Sequence, residues 1–193
     1  HIDLSLQQNQ YQSHQKRGFR NCRTIFETCR QNLVSNFRIG QGFDAHKIIK
    51  GSKDFILGGV TIDSEYEVIA HSDGDIICHV IIDALLGACN LGDIGELAPS
   101  NAENKNISSI ALLKKTFNMI SKAGYQIVNI DLTYVGAEPR LEKFKKDIEA
   151  NLAKELDMNL NDISCKATTT DGLGYEGSRE GVSSHAIALV TKT

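Results

Sequence analysis

From Phe37 onward the chain alternates between two hydrophobic rhythms. Phe37–Phe43 reads as a strand, and Phe55–Ile62 as a second strand kinked at Gly58-Gly59. Ser72-Asp-Gly-Asp75 has the form of an N-cap box, a hydroxyl followed three residues later by an acid. It predicts a helix running through about Ala88, with Ile76, Ile77, Val80, Ile81, Ala84 and Leu85 on its apolar side. Leu91–Asn106 reads as a loop containing Gly92, Gly95 and Pro99, and Ile107–Ala123 as an amphipathic helix stopped by Gly124. In Tyr125–Val135, Ile127, Asn129, Asp131 and Thr133 alternate with Val128, Ile130, Leu132 and Tyr134, which is strand-like. Arg140–Leu156 follows as a charged amphipathic helix, and Ile163–Thr169 and His185–Thr191 as strands. The order β-β-α-α-β-α-β-β predicts an α/β two-layer sandwich, one mixed sheet with helices on one face.

Residues 1–36 do not share this pattern. They hold five basic residues (Lys16, Arg17, Arg20, Arg23, Arg30) against Asp3 and Glu27, and are rich in Gln and Asn. The chain as a whole carries a formal charge of −3, so the part beyond residue 36 is distinctly acidic. An Arg-rich, acid-poor stretch of this kind is expected to be a disordered leader, the remnant of a transit peptide for a plastid-type organelle, in a chain that lacks its initiating Met. A leader with no address, in a cytoplasmic protein, is the alternative. Residues 37–193 then form a single domain.

The length of 193 residues, with 41% hydrophobic and 23% charged residues, suffices for one core and excludes a wholly disordered chain. The acidic balance argues against a nucleic-acid surface, and no apolar run approaches the roughly 18 residues needed to span a membrane. Cys22, Cys29, Cys78, Cys89 and Cys165 are odd in number and contain no C-x-x-C. Free thiols in a reducing compartment are expected, not a disulfide framework or a zinc ribbon.

Four places could carry chemistry. Asp44-Ala45-His46 follows the first strand, and in extended backbone residues i and i+2 point the same way, so a carboxylate and an imidazole could meet one cation. Alone, such a triplet is more often a turn cap plus a surface His. His79 could complete a set of two His and one carboxylate, with a fourth position open for substrate. Asp83, one helical turn further, could orient a ligating imidazole or be a plain surface charge. His71 and Ser72 stand before a helix N-terminus, where phosphate is favoured, although Ser72 could equally be only a cap. Lys166-Ala-Thr-Thr-Thr-Asp171-Gly-Leu-Gly174 offers three hydroxyls and an acid at a strand end, suited to polyphosphate and a metal but also to β-propensity alone.

Arg38-Ile-Gly-Gln-Gly-Phe-Asp-Ala-His46, Ala70-His-Ser-Asp-Gly-Asp75, Asp83-Ala-Leu-Leu-Gly-Ala88, Leu91-Gly-Asp-Ile-Gly95 and Lys166-Ala-Thr-Thr-Thr170 occur in this order. With these motifs the chain from about Phe37 to Lys192 resembles the 2-C-methyl-D-erythritol 2,4-cyclodiphosphate synthase family of the non-mevalonate isoprenoid pathway. The resemblance implies the substrate 4-diphosphocytidyl-2-C-methyl-D-erythritol 2-phosphate. Its 2-phosphate attacks the β-phosphorus, CMP leaves, and a cyclic diphosphate forms. It also implies a homotrimer with an active site at each subunit interface, Zn2+ in each site, and a second ion, Mg2+ or Mn2+.

Carried over by motif, Asp44, His46 and His79 resemble the zinc ligands, and Asp171 stands where the family's second-cation carboxylate, usually Glu, is found. His71 and Thr169 take the places near the transition state. Ser72 matches a phosphate contact, Asp93 and Gly95 the ribose side, and Thr168, Thr170, Tyr175 and Arg140 further substrate contacts; Arg140 replaces a usual Lys in the cytosine pocket. Ala98 and Ser100 depart from an aromatic and an Asp that flank Pro99 in the family. Ser178 and Gln41 depart from an Arg and a His that face the trimer axis, with Arg179 one residue late. A zinc-dependent phosphohydrolase and a non-catalytic binding module are the competing readings; the presence of all three ligand-type residues disfavours the second.

Overall fold

The computed structural model describes residues 36–99 and 107–193. Most of the leader, with Cys22 and Cys29, lies outside the described residues, as does Ser100. The strands are β1 (Phe37–Lys50), β2 (Phe55–Leu57), β3 (Val60–Ile62), β4 (Tyr66–Ile69), β5 (Tyr125–Val135), β6 (Ile163–Thr168) and β7 (Gly181–Lys192). The helices are α1 (Ile76–Cys89), α2 (Ile94–Leu97), α3 (Ser109–Lys122), α4 (Lys145–Glu155) and α5 (Gly174–Gly177). Five strands form one sheet in the order β4-β1-β7-β5-β6, and β2-β3 form a separate hairpin. The large sheet is mixed, since β5 pairs parallel with β6 and antiparallel with β7. The parallel pair needs a crossover, and α4 supplies it.

Burial alternates along β7. Val182, Ala186, Ala188 and Val190 are buried, whereas His185 and Ile187 are exposed. The buried side meets the helices, so one face of the sheet carries them, as the alternation of the sequence predicts. Helix α1 is covered almost all round: Ile76, Ile77, Val80, Ile81, Ile82, Leu85 and Leu86 all have 0% exposure. An apolar stripe on one side would leave Ile82 and Leu86 in water. They are buried because α1 packs on β7 with one flank and on α3 with the other. Each fully buried Leu or Ile contributes roughly 1.5–3 kcal/mol, so this helix is the centre of the core.

The sheet reaches α1 closely because β1 is glycine-bearing at the crossing. A Cβ on Gly40 would lie 1.8 Å from the Ala84 carbonyl oxygen, and one on Gly42 1.9 Å from that of Val80. Only a residue without a side chain lets strand backbone touch helix backbone here. The next inward positions along β1 are Asp44 and His46, which the close crossing delivers to the flank of α1.

Several boundaries differ from expectation. β1 continues through Asp44 and His46 to Lys50, because its second half pairs with β4, a strand the sequence reading missed. The kinked strand Phe55–Ile62 is instead a hairpin. Gly58 and Gly59 have φ of +57° and +73°, the two positive values that a tight two-residue turn demands. Ser72 does not cap α1. Gly74, at φ +78°, turns the chain away, and Asp75 caps by accepting from Cys78 N–H at 3.1 Å. The same buried carboxylate accepts from Gly58 N–H and Gly59 N–H at 2.8 and 2.7 Å, which a serine hydroxyl could not do together. Arg140 precedes α4 instead of opening it, since Leu141–Phe144 forms a turn first. In β5 a bulge between Ile127 and Asn129 shifts the alternation, so Ile127 and Ile130 both reach the core. Cys78, Cys89 and Cys165 are free and buried, as expected of thiols used as small apolar groups.

Candidate active site

Two segments 35 residues apart meet at the flank of α1. Asp44 Oδ2 lies 2.9 Å from His79 Nδ1, and Asp44 Oδ1 lies 3.5 Å from His46 Nδ1. The two imidazoles stand edge to face, with centroids 5.2 Å apart. Each of the three residues offers a ligand atom, all within 4.8 Å of one another. His46 Nε2 is buried and has no hydrogen-bond partner among the described residues. A buried polar atom left without a partner costs about 1–3 kcal/mol, so the pocket is built for a ligand with unfilled bonding capacity. One carboxylate and two imidazoles form an oxygen and nitrogen set that fits a divalent ion such as zinc.

The cluster opens on a cavity of about 250 Å³. His46, His79, His71, Ser72, Ile94, Gly95 and Ala98 all line it. Ser72 Oγ accepts from Gly74 N–H at 3.1 Å and stands 3.2 Å from His79 Nε2. Freed from capping α1, it sits between the phosphate-type loop and the metal-type cluster. Asp93 caps the short α2, accepting from Glu96 N–H at 2.9 Å, and thereby holds Gly95 at the cavity wall.

The hydroxyl-rich segment is elsewhere. Thr168 and Thr169 are exposed at the end of β6, and Thr169 Oγ1 lies 3.4 Å from Asp171 Oδ1. Asp171 and Gly172 have φ of +53° and +87°, a turn that presents the carboxylate outward. Arg140 lines a separate cleft with Lys50, Tyr66 and Arg179, and Tyr175 lines another with His46 and Arg179. Within one chain, then, none of the three threonines, Asp171 or Arg140 lines the cavity that holds His71, Ser72 and the metal-type cluster.

The YgbB family model matches residues 37–191. The chain belongs to that family. Over 154 residues it is 42% identical to the 2-C-methyl-D-erythritol 2,4-cyclodiphosphate synthase of Syntrophomonas wolfei, covering 79% of this chain and 98% of that one. The synthase of the same name from Clostridium botulinum is 45% identical over 79% of this chain and 99% of its own. Among solved structures, IspF of Plasmodium falciparum in complex with CDP superposes with a TM-score of 0.73 at 35% identity, covering 82% of this chain and 97% of that one. Bifunctional IspDF of Campylobacter jejuni superposes with a TM-score of 0.78 at 37% identity; the match spans 81% of this chain and 42% of the bifunctional one.

In this YgbB-family chain Asp83 lies one turn beyond His79 on α1. Its carboxylate accepts from Ile94 N–H at 2.8 Å and so tethers α2 to α1. The partners of the His79 ring are instead Asp44, Ser72 and Ser109. Partial burial pushes the Asp83 carboxyl above its ordinary range, and the nearby negative charge of Asp93 and Asp44 adds to this, against the Ile94 N–H bond. Ser109 and Asp73 were missed by sequence reasoning. Asp73 reads in the sequence as part of a cap box, and Ser109 carries no chemical signal of its own. Their only sequence signal is the Ser-Asp-Gly turn, whose meaning depends on a helix that starts 36 residues later.

Proposed function

We propose that the chain converts 4-diphosphocytidyl-2-C-methyl-D-erythritol 2-phosphate to 2-C-methyl-D-erythritol 2,4-cyclodiphosphate, with release of CMP. The observation that carries this is the opening of His46 and His79, with Asp44 grouped beside them, on the same cavity as His71 and Ser72, in a chain matching 98–99% of the length of synthases 42–45% identical to it. Asp44, His46 and His79 would hold Zn2+, and Asp171 a second ion, Mg2+ or Mn2+. When bound, such ions neutralise phosphate charge and polarise phosphorus–oxygen bonds.

The chain's own part is alignment. An oxygen of the 2-phosphate forms the new bond to the β-phosphorus while the bond from that phosphorus to the CMP oxygen breaks. The nucleophile is already anionic near neutral pH, so no strong base is needed. His71 and Ser72 hold the attacking phosphate at the cavity mouth. Thr169 donates to the diphosphate at the leaving side, with Thr168, Thr170, Tyr175 and Arg140 orienting the cytidine part. Asp93 and Gly95 shape the ribose side. Fixing both ends of one substrate turns repulsion between phosphates into a near-attack geometry.

Because the two groups of residues do not line one cavity within a chain, we assign the complete site to a homotrimer in which neighbouring subunits each give one half. The support is the sheet face opposite the helices, which exposes Ile39, Phe43 and Ile187 at 71, 51 and 50%. A row of exposed large apolar residues of this kind is the mark of an interface. The basic composition of residues 1–36 supports delivery to a plastid-type organelle. No helix of the described residues is long and apolar enough to cross a membrane.

Phosphorus NMR of the product tests the reaction. Cyclic diphosphate and CMP are expected; free phosphate would favour a metal-dependent phosphohydrolase. Mixing tests the assembly: Asp44→Ala and Thr169→Val subunits, each inactive alone, should regain part of the activity when co-refolded. Mixed trimers without activity would place a whole site on each chain.

A further inference from the structure

Behind the metal-type cluster runs a line of hydrogen bonds with a single allowed direction. His79 Nε2 lies 2.9 Å from Ser109 Oγ, at the first residue of α3. Ser109 Oγ is in turn bonded to Asp73 Oδ1, and Ser109 N–H donates to Asp73 Oδ2 at 2.8 Å. Ser109 is fully buried, so its hydroxyl has no water to choose instead. Asp73 as a carboxylate can only accept. The Ser109 O–H must therefore donate to Asp73, which leaves Ser109 Oγ as an acceptor toward His79. The proton between them belongs to His79 Nε2. In a neutral ring Nδ1 then carries a lone pair, and that lone pair faces Asp44 Oδ2 at 2.9 Å. Two acceptors at that distance repel unless a cation joins them.

We propose that Asp73 and Ser109 are positioning residues that fix His79 as its Nε2–H tautomer, and so present Nδ1 as a metal-ligating atom beside Asp44. The inference rests on the metal reading of Asp44, His46 and His79 and deepens it. It also accounts for the place of Asp73. The same carboxylate accepts from Asp75 N–H at 3.2 Å, so one residue ties together the loop carrying His71 and Ser72, the start of α3 and the ligand ring. A group that orients a ligating histidine is worth about 10–100-fold in metal affinity or activity.

The test uses zinc-loaded protein and two readouts, zinc affinity by competition with a chromophoric chelator and the His79 tautomer by nitrogen-15 NMR of labelled histidine. Wild-type protein should show His79 with its proton on Nε2. Ser109→Ala removes the nearer of the two hydroxyls that face Nε2, leaving Ser72 Oγ at 3.2 Å, and Asp73→Asn keeps the size while replacing one acceptor oxygen by a donor, which frees the Ser109 hydroxyl to point at the ring. Each should bind zinc about 10–100-fold more weakly and show a mixed or inverted His79 tautomer, while circular dichroism confirms the fold. If Ser109→Ala fails to fold, Asp73→Asn carries the comparison. A wild-type His79 protonated at Nδ1, or wild-type affinity and tautomer in a folded variant, overturns the proposal. His79→Ala separates the two levels: its loss of zinc supports the metal reading independently, and wild-type affinity in it would overturn that reading and this inference together.

Discussion

Asp44 Oδ2 and His79 Nδ1 stand 2.9 Å apart although 35 residues separate them in the chain. The contact exists because Gly40 and Gly42 let β1 press against the α1 backbone, so the following inward residue of the strand meets the second turn of the helix. Strand and helix act as one rigid mount, which is what a ligand set needs to hold its geometry without an ion to gather it.

Damage at this cluster should fall in a definite order. His79→Ala is expected to lose zinc and activity yet remain folded, since α1 keeps its apolar residues. Asp83→Ala should keep its zinc. It deprives Ile94 N–H of its acceptor, about 1–3 kcal/mol locally, and loosens the wall formed by Ile94, Gly95 and Ala98. The expected signature is a raised KM with full metal content, measured by metal analysis beside steady-state kinetics. Zinc loss in Asp83→Ala would give that residue a part in orienting a ligating imidazole.

Gly42→Ala should be among the most damaging small changes in the chain. The added Cβ would fall 1.9 Å from the Val80 carbonyl oxygen, and neither backbone can yield without moving a strand or the core helix. The cost should reach or pass the upper end of the roughly 1–3 kcal/mol typical of overpacking. Urea unfolding measures it directly. Zinc affinity should fall in the same variant, because the displaced strand carries Asp44 and His46.

Asp171→Asn should leave the fold intact, because Asn tolerates the left-handed backbone that Asp171 adopts at φ +53°. With the charge gone, a second cation loses an anionic oxygen ligand. Turnover should drop about tenfold or more, and the Mg2+ concentration needed for half-activity should rise, with zinc content unchanged. Zinc loss would mean that Asp171 serves the other ion.

Glu149 sets one limb of the acid stability profile. Burial works against its charge, but the Lys146 ammonium at 2.7 Å and Cys165 N–H at 2.9 Å outweigh that and hold its carboxyl below its ordinary value of 4.5. A depressed native pKa means that the unfolded chain binds the proton first as pH falls. The contribution is therefore complete above about 4.5 and lost as pH drops through the lower native value. Glu149→Gln should be less stable at neutral pH and lose less on acidification, as read from urea midpoints across that range.

The sequence by itself determined the local grammar. Alternation marked β5 and β7, periodicity marked α1 and α3, and the motifs around Asp44, His71, Asp93 and Thr168 were enough to imply the family, because these signals are written in neighbouring residues. What only the tertiary structure decided depends on residues far apart. Ile82 and Leu86 are buried because α1 is packed between β7 and α3, which no periodicity within α1 can show. Asp75 wins the cap of α1 from Ser72 because the hairpin at Gly58-Gly59 brings two more N–H groups to its carboxylate. Asp83 turns to Ile94, and Asp73 with Ser109 takes the His79 ring, because helix spacing fixes which side of α1 a residue occupies but not which loop comes to meet it. Hydrogen bonds are satisfied by whatever donor or acceptor the fold delivers within 3 Å or so, and that delivery is a property of the packed whole.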